Sequence, residues 1–218
     1  PFLRGKDTVV IANVAGRTID DYAGICARLD GLVDMIELNI SCPNVKCGGM
    51  AFGIRPESVK EVTRAAKGAL KKTPLIVKLS PNVESIAANA LAAQEGGADC
   101  LSLINTLTGM VVDIERRRPL IANNTGGVSG AGIRPIAVRM VWEVCQAVSV
   151  PVIGMGGITC AEDALEFIIA GASAVQVGTA NFTDTLAMPR IIGGLNEWLD
   201  ARGIKTLQEL RGTLRLNN

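Results

Sequence analysis

Chemistry in this chain has to come from a short set of side chains. No histidine occurs among its 218 residues, so a nucleophile paired with histidine cannot be assembled within it. A cysteine acting alone as proton acceptor is then the sharper idea. Cys42 stands where such a group would be useful, in Asn39-Ile40-Ser41-Cys42-Pro43-Asn44, just past an apolar run and at the start of a loop that continues through Gly48, Gly49 and Gly53. Asn13, Asn39, Asn44, Asn105 and Thr106 also follow apolar runs. A carboxamide offers a donor and an acceptor together, so several converging on one mouth suit a planar ligand rich in amide groups; singly, each is an ordinary strand terminator. Lys78 closes the apolar run 75–79, where an ammonium needs an anionic or electron-rich partner, or open solvent. Gly156-Gly157 and Gly178-Thr179 follow the last two runs. Glycines there let backbone amides approach a phosphate closely, or only mark tight turns.

The elements that must position these residues alternate along the chain. Apolar runs at 8–12, 35–40, 75–79, 100–104, 152–155 and 174–177 read as strands, and helical patterns follow nearly all of them. Thr18 with Asp21 and Thr159 with Glu162 have capping-box spacing, and Pro56 and Pro135 suit first helical turns. Val59, Val62, Ala66 and Leu70 fall on one helical face, as do Ile136, Met140 and Val144. A faint repeat links Gly97-Ala98-Asp99 and its strand to Gly171-Ala172-Ser173 and its strand. Such units close most simply as an α/β fold of the (β/α)8 TIM-barrel type, in which reacting groups sit at the carboxyl ends of the strands. Six of the eight strands are visible, so the expectation is a single barrel domain, 1–218, lacking its first two strands and incomplete at its N-terminal side. A doubly wound sheet is the alternative, but Asn13-Val14-Ala15-Gly16 is not the glycine fingerprint that usually follows its first strand. Between Thr106 and Pro135 the repeat is interrupted by extended runs 110–114 and 120–122, which flank Arg116, Arg117 and Arg118. That excursion reads as an antiparallel hairpin over the mouth, with the arginines as a solvated tip or an anion site.

Composition narrows the function classes. Lys and Arg number 22 against 21 Asp and Glu, which gives a net charge of +1 and no basic field for nucleic acid. A hydrophobic fraction of 48% argues for a packed core rather than disorder, and aromatics at 3% leave few platforms for stacking bases. The uncharged stretch 144–161 contains Pro151, Gly154, Gly156 and Gly157, which make a poor bilayer helix, so no membrane span is expected. Six cysteines without a CxxC pair read as reduced, in a cytoplasmic setting, with Cys26 and Cys145 as core packing.

Six segments together resemble one family. They are 36–46 (Ile-Glu-Leu-Asn-Ile-Ser-Cys-Pro-Asn-Val-Lys), 77–82 (Val-Lys-Leu-Ser-Pro-Asn), Ile104-Asn105-Thr106, 125–130 (Thr-Gly-Gly-Val-Ser-Gly), 153–158 (Ile-Gly-Met-Gly-Gly-Ile) and 177–182 (Val-Gly-Thr-Ala-Asn-Phe). In order, they look like the class 1 dihydroorotate dehydrogenases, and the continuation from Asn44 to Gly53 is most similar to the NAD-linked subtype. The resemblance implies FMN-dependent oxidation of dihydroorotate to orotate in pyrimidine synthesis. It implies Cys42 as catalytic base, and Asn39, Asn44, Asn105 and Thr106 as substrate contacts. It places Asn13, Asn39, Lys78, Ile104, Gly130, Gly156, Gly157, Gly178 and Thr179 at FMN. It further implies a homodimer of catalytic chains within a heterotetramer, whose second chain carries iron–sulfur and FAD groups, and two family strands before Thr8. From the residues alone two other readings stay open: a phosphate-binding lyase or isomerase using Lys78 as a Schiff base, and a non-catalytic barrel fragment.

Overall fold

Side chains alternate across each strand, so one face of a sheet built from these runs must meet helices and the other must meet itself. The computed structural model, which describes residues 2–40 and 52–217, resolves that requirement as follows. In chain order the elements are β1 (Ile11–Val14), α1 (Ile19–Leu29), β2 (Met35–Asn39), α2 (Pro56–Gly68), β3 (Leu75–Lys78), α3 (Ile86–Glu95) and β4 (Cys100–Leu103). Four short strands follow: β5 (Leu107–Gly109), β6 (Val112–Asp113), β7 (Arg118–Pro119) and β8 (Gly126–Val128). The chain then runs through α4 (Arg134–Ala147), β9 (Val152–Met155), α5 (Ala161–Ala170), β10 (Ala174–Gln176), α6 (Ala180–Thr183) and α7 (Ala187–Asp200).

Six strands form one parallel sheet in the order β1-β2-β3-β4-β9-β10. Its curl can be measured from a single hydrogen bond. Four strand-to-strand steps separate β2 from β10, which in a flat sheet is about 19 Å. Yet Gln176 Nε2 on β10 donates to Glu37 Oε1 on β2 at 2.9 Å. The sheet therefore wraps around its inner face as a segment of a parallel barrel, consistent with the (β/α)8 expectation.

The outward residues Ile36, Leu38, Leu75, Val77, Leu101 and Leu103 are fully buried beneath the helices. Phe167 of α5 lies so close to β9 that a Cβ at Gly154 would fall 2.5 Å from its ring. A glycine is required there, and truncating the buried Phe167 to alanine would cost about 3–5 kcal/mol. Helix starts follow local chemistry: Thr18 and Asp21 form a reciprocal capping box, Ser85 caps α3, and proline occupies the first turns of α2 and α4.

Several sequence expectations shift. The first strand is not 8–12 but Ile11–Val14, so Asn13 lies within it. The cap of α5 is Cys160 with Asp163 rather than Thr159 with Glu162, although Thr159 also donates to the Asp163 carboxylate. On α4 the buried positions are Ala137, Met140, Val141 and Val144, while Ile136 is exposed. The excursion is an antiparallel hairpin, but its ladders are β5 with β8, outside the runs 110–114 and 120–122, and β6 with β7, where β6 falls within the first run and β7 just precedes the second. No helix among the described residues is long and apolar enough to cross a membrane.

Candidate active site

The register of the sheet puts the site residues in rows. Asn39, the last residue of β2, is level with Lys78, the last of β3, and Lys78 with Ser102 on β4. One row deeper, Asn13 is level with Glu37. Just past β4, Asn105 Nδ2 donates to Asn39 Oδ1 at 3.2 Å, and Asn105 Oδ1 accepts from the Thr106 backbone N–H at 2.8 Å. The Asn105 carboxamide is thus gripped at both ends, which fixes its orientation. Asn82 extends the set by donating to the Thr106 carbonyl at 3.0 Å and accepting from Thr108 N–H at 2.9 Å. Asn39, Asn105 and Thr106 are therefore brought together, as the sequence suggested.

Cys42 and Asn44 lie outside the described residues, but the two flanks of their loop do not. Gly53 N–H donates to the Ile40 carbonyl at 2.9 Å, so the flanks meet at the end of β2. Phe52 packs edge-on against Tyr22 at 5.8 Å between ring centroids, and the Tyr22 hydroxyl donates to the Asn39 carbonyl at 2.9 Å. Buried Asn89 on α3 donates to the Gly53 and Ile54 carbonyls at 2.8 and 3.2 Å. Both ends of the segment that contains Cys42 are consequently pinned beside Asn39, two of these pins being side chains on helices α1 and α3.

A second cluster lies where β9, β10 and the hairpin's return leg converge. Gly130, Gly156 and Gly157 all have positive φ, at 98°, 129° and 78°. A Cβ at Gly157 would stand 2.7 Å from the Gly130 carbonyl and 3.0 Å from the Arg134 backbone nitrogen, so these backbones touch. Thr179 Oγ1 donates to Ser129 Oγ at 2.9 Å across the same gap, and Gly178 has no atom within 4 Å of its Cβ direction. Glycines with close-set backbone and two hydroxyls are the materials of a phosphate cradle. Ile104 joins the two clusters, since its N–H donates to Met155 O at 2.9 Å and its side chain abuts Gly156.

Behind the cradle, Arg134 pairs with the buried Asp163, which also accepts from Thr159 Oγ1 at 2.6 Å and Thr159 N–H at 2.8 Å. Burial alone would raise the Asp163 carboxyl; the Thr159 and Cys160 hydrogen bonds and the Arg134 charge outweigh it and hold the group below the usual carboxylate range. The free thiols of Cys26, Cys100 and Cys145 are each pushed up to about 11 by burial, which leaves them inert at neutral pH. Among the described residues Lys78 is half-buried and forms no ion pair, so its ammonium is available to a ligand at the mouth. Sequence reasoning missed Glu37, Ser102 and Gln176, which meet inside the curl, and Tyr22 and Asn89, which hold the loop. The one available signal was a charged Glu37 between apolar Ile36 and Leu38, two residues before Asn39 and hence on the same face.

Comparison with known proteins identifies the family. A family model described as dihydroorotate dehydrogenase matches residues 3–199. The catalytic subunit of dihydroorotate dehydrogenase B (NAD+) from Alkaliphilus metalliredigens is 55% identical over 215 residues, 98% of this chain and 71% of that protein. The subunits of the same name from Trichlorobacter lovleyi and Bacteroides fragilis are 55% and 53% identical and are covered to 71% and 72% of their lengths. A crystal structure of Eimeria tenella dihydroorotate dehydrogenase in complex with ferulenol superposes with a TM-score of 0.75 at 25% identity, covering 89% of this chain and 57% of that one. With a family model spanning most of its length and relatives sharing more than half of its residues, the chain belongs to the dihydroorotate dehydrogenase family.

Proposed function

We propose that this chain supplies the dihydroorotate-oxidising site of an NAD+-linked dihydroorotate dehydrogenase of pyrimidine biosynthesis, with FMN as its cofactor and Cys42 as its base. The observation that carries the reading is the joint placement of Asn39, Lys78, Asn105 and Thr106 at the carboxyl ends of adjacent strands, next to the glycine cradle. The cradle fits the phosphate of FMN: Gly156 and Gly157 pack where a Cβ would collide, Gly178 borders open space, and Gly130 faces Thr179. Lys78, Ile104, Asn13 and Asn39 would then hold the ring system, few aromatics being available, and the Lys78 cation would favour electron-rich flavin. FMN, when bound, supplies the two-electron acceptor for the hydride that leaves C6 of dihydroorotate.

The chain's own residues do the remainder. Asn39, Asn44, Asn105 and Thr106 offer paired donors and acceptors to the pyrimidine, and the grip on Asn105 spares the reaction the cost of ordering it. Cys42 Sγ, as thiolate, takes the proton from C5 as the hydride departs, which leaves the C5–C6 double bond of orotate. An ordinary thiol has a pKa of about 8.5, so the rate of substrate oxidation rises with pH towards that value. The relatives' names describe a catalytic subunit, and we place this chain in the same setting: paired with an iron–sulfur and FAD subunit that passes electrons to NAD+, in a cytoplasmic heterotetramer built on a dimer of catalytic chains. The test is rapid mixing of dihydroorotate with the anaerobic holoenzyme, wild type and Cys42→Ala. The expected outcome is a yellow variant with normal flavin content whose absorbance is no longer bleached. Bleaching at the wild-type rate in Cys42→Ala would refute the assignment.

A further inference from the structure

Inside the curl of the sheet lies a carboxylate that the mechanism above does not use. Glu37 is buried at 4% exposure, and three neutral donors from three other strands converge on it. Asn13 Nδ2 on β1 donates to Oε2 at 2.5 Å, while Ser102 Oγ on β4 and Gln176 Nε2 on β10 donate to Oε1 at 2.7 and 2.9 Å. Its strand neighbour on the inner face is Asn39, and Lys78 stands level with Asn39 on β3. Among the described residues no basic group pairs with Glu37, so a carboxylate is held close to the mouth by neutral hydrogen bonds alone.

We propose that Glu37 is a positioning residue for the flavin: it fixes the Asn13 carboxamide with its NH2 turned inward, so that the carbonyl oxygen is the group Asn13 offers to the ligand, and it holds a negative charge beneath the ring. The proposal rests on the reading of this mouth as an FMN site. Its physical basis is that a carboxylate is an acceptor only, whereas an asparagine amide can present either end. Facing Oε2, the Asn13 amide has one orientation that makes a hydrogen bond and one that sets oxygen against oxygen. The outward acceptor that results suits a ring N–H, and the fixed charge favours oxidised over anionic reduced flavin.

The test uses the holoenzyme in three forms: wild type, Glu37→Gln, and Glu37→Gln combined with Asn13→Asp. The single variant keeps the size of the side chain but turns an NH2 towards Asn13, so the Asn13 amide must rotate and present a donor outward. The double variant restores a donor–acceptor pair with its polarity reversed, returns an acceptor to the ligand and restores the charge. FMN affinity, measured by fluorescence quenching on readdition to stripped enzyme, should weaken about tenfold in the single variant, the effect of one reversed hydrogen bond. The midpoint potential should become more positive. Both readings should return to near wild type in the double variant, which a merely structural role for Glu37 would not produce. A single variant with wild-type affinity and potential would overturn the proposal. If the single variant does not fold, a double variant that folds and binds FMN normally supports the proposal, and one that fails to recover overturns it. Wild-type enzyme that does not bind FMN at all would instead overturn the functional reading on which it rests.

Discussion

Two glycines of the cradle make opposite demands, and Gly157→Ala and Gly178→Ala separate them. At Gly157 the backbone sits at φ 78°, and alanine there costs about 1–2 kcal/mol of left-handed strain. Its Cβ would also stand 2.7 Å from the Gly130 carbonyl and 3.0 Å from the Arg134 backbone nitrogen, neither of which can rotate away. Such overpacking adds about 1–3 kcal/mol, for a total of about 2–5 kcal/mol. At about 2–4 °C per kcal/mol, the flavin-stripped enzyme should lose roughly 4–20 °C in melting temperature. At Gly178 nothing lies within 4 Å of the Cβ direction, so Gly178→Ala should melt like wild type. If that open space is where the FMN phosphate lies, the methyl group instead displaces a charge-assisted hydrogen bond, and affinity should fall about ten- to hundredfold. Differential scanning fluorimetry without flavin and a fluorescence titration with it read the two quantities independently. An unshifted melt for Gly157→Ala would refute the packing argument, and full FMN affinity in Gly178→Ala would remove Gly178 from the cradle.

Tyr22→Phe deletes the donor to the Asn39 carbonyl while keeping the ring against Phe52. A loss of about 1 kcal/mol at Asn39, the asparagine proposed to hold substrate, should raise the KM for dihydroorotate about fivefold with flavin content unchanged, and an unchanged KM would dissociate this bond from substrate binding. Asp163 has a lowered carboxyl in the folded chain, so its contribution is present above the unfolded value of about 3.9 and fades as pH falls through the folded one. Asp163→Asn should therefore melt below wild type at pH 7, with the gap closing towards pH 3; a gap independent of pH would mean that the ion pair with Arg134 is not its source. Alkylation at pH 8 followed by peptide mass mapping should leave Cys26, Cys100 and Cys145 unmodified, their thiols being pushed up to about 11, whereas their modification in the native enzyme would contradict the burial that inactivates them.

What could be read from the sequence was what local chemistry decides. Runs such as 75–79 and 152–155 are apolar on both faces because both are covered, and their ends announce Lys78 and Gly156 whatever the rest of the chain does. What could not be read was decided by partners distant in sequence. Val9 and Val10 look like strand residues, but Val9 is 65% exposed, and pairing begins only where Ile11 meets Met35. In β8 glycines have poor strand propensity, yet Gly126 and Gly127 pair with Gly109 and Thr108 because a side chain at Gly127 would collide with Thr106. Glu37 went unread because its partner Gln176 reaches it only through the curvature of the sheet, and curvature belongs to the sheet rather than to any one strand.

The hairpin shows why these distant partners matter to the chemistry. The residues proposed to read substrate hang from β2 and β4, whereas the proposed phosphate cradle hangs from β9 and β10, so a ligand spanning both needs their separation held constant. The return leg does this at both ends: Gly127 packs on Thr106 at the substrate side, and three residues later Gly130 touches Gly157 at the cradle. Between them β8 is hydrogen-bonded to β5, which leaves directly from Asn105 and Thr106. The segment that interrupts the strand–helix repeat is thus a spacer with fixed ends between the two halves of the site. Its interior segment, with β6, β7 and the exposed Arg116, Arg117 and Arg118, lies beyond that spacer. A change at Gly127 should accordingly disturb substrate and flavin together, while a change at Arg117 in the turn between β6 and β7 should disturb neither.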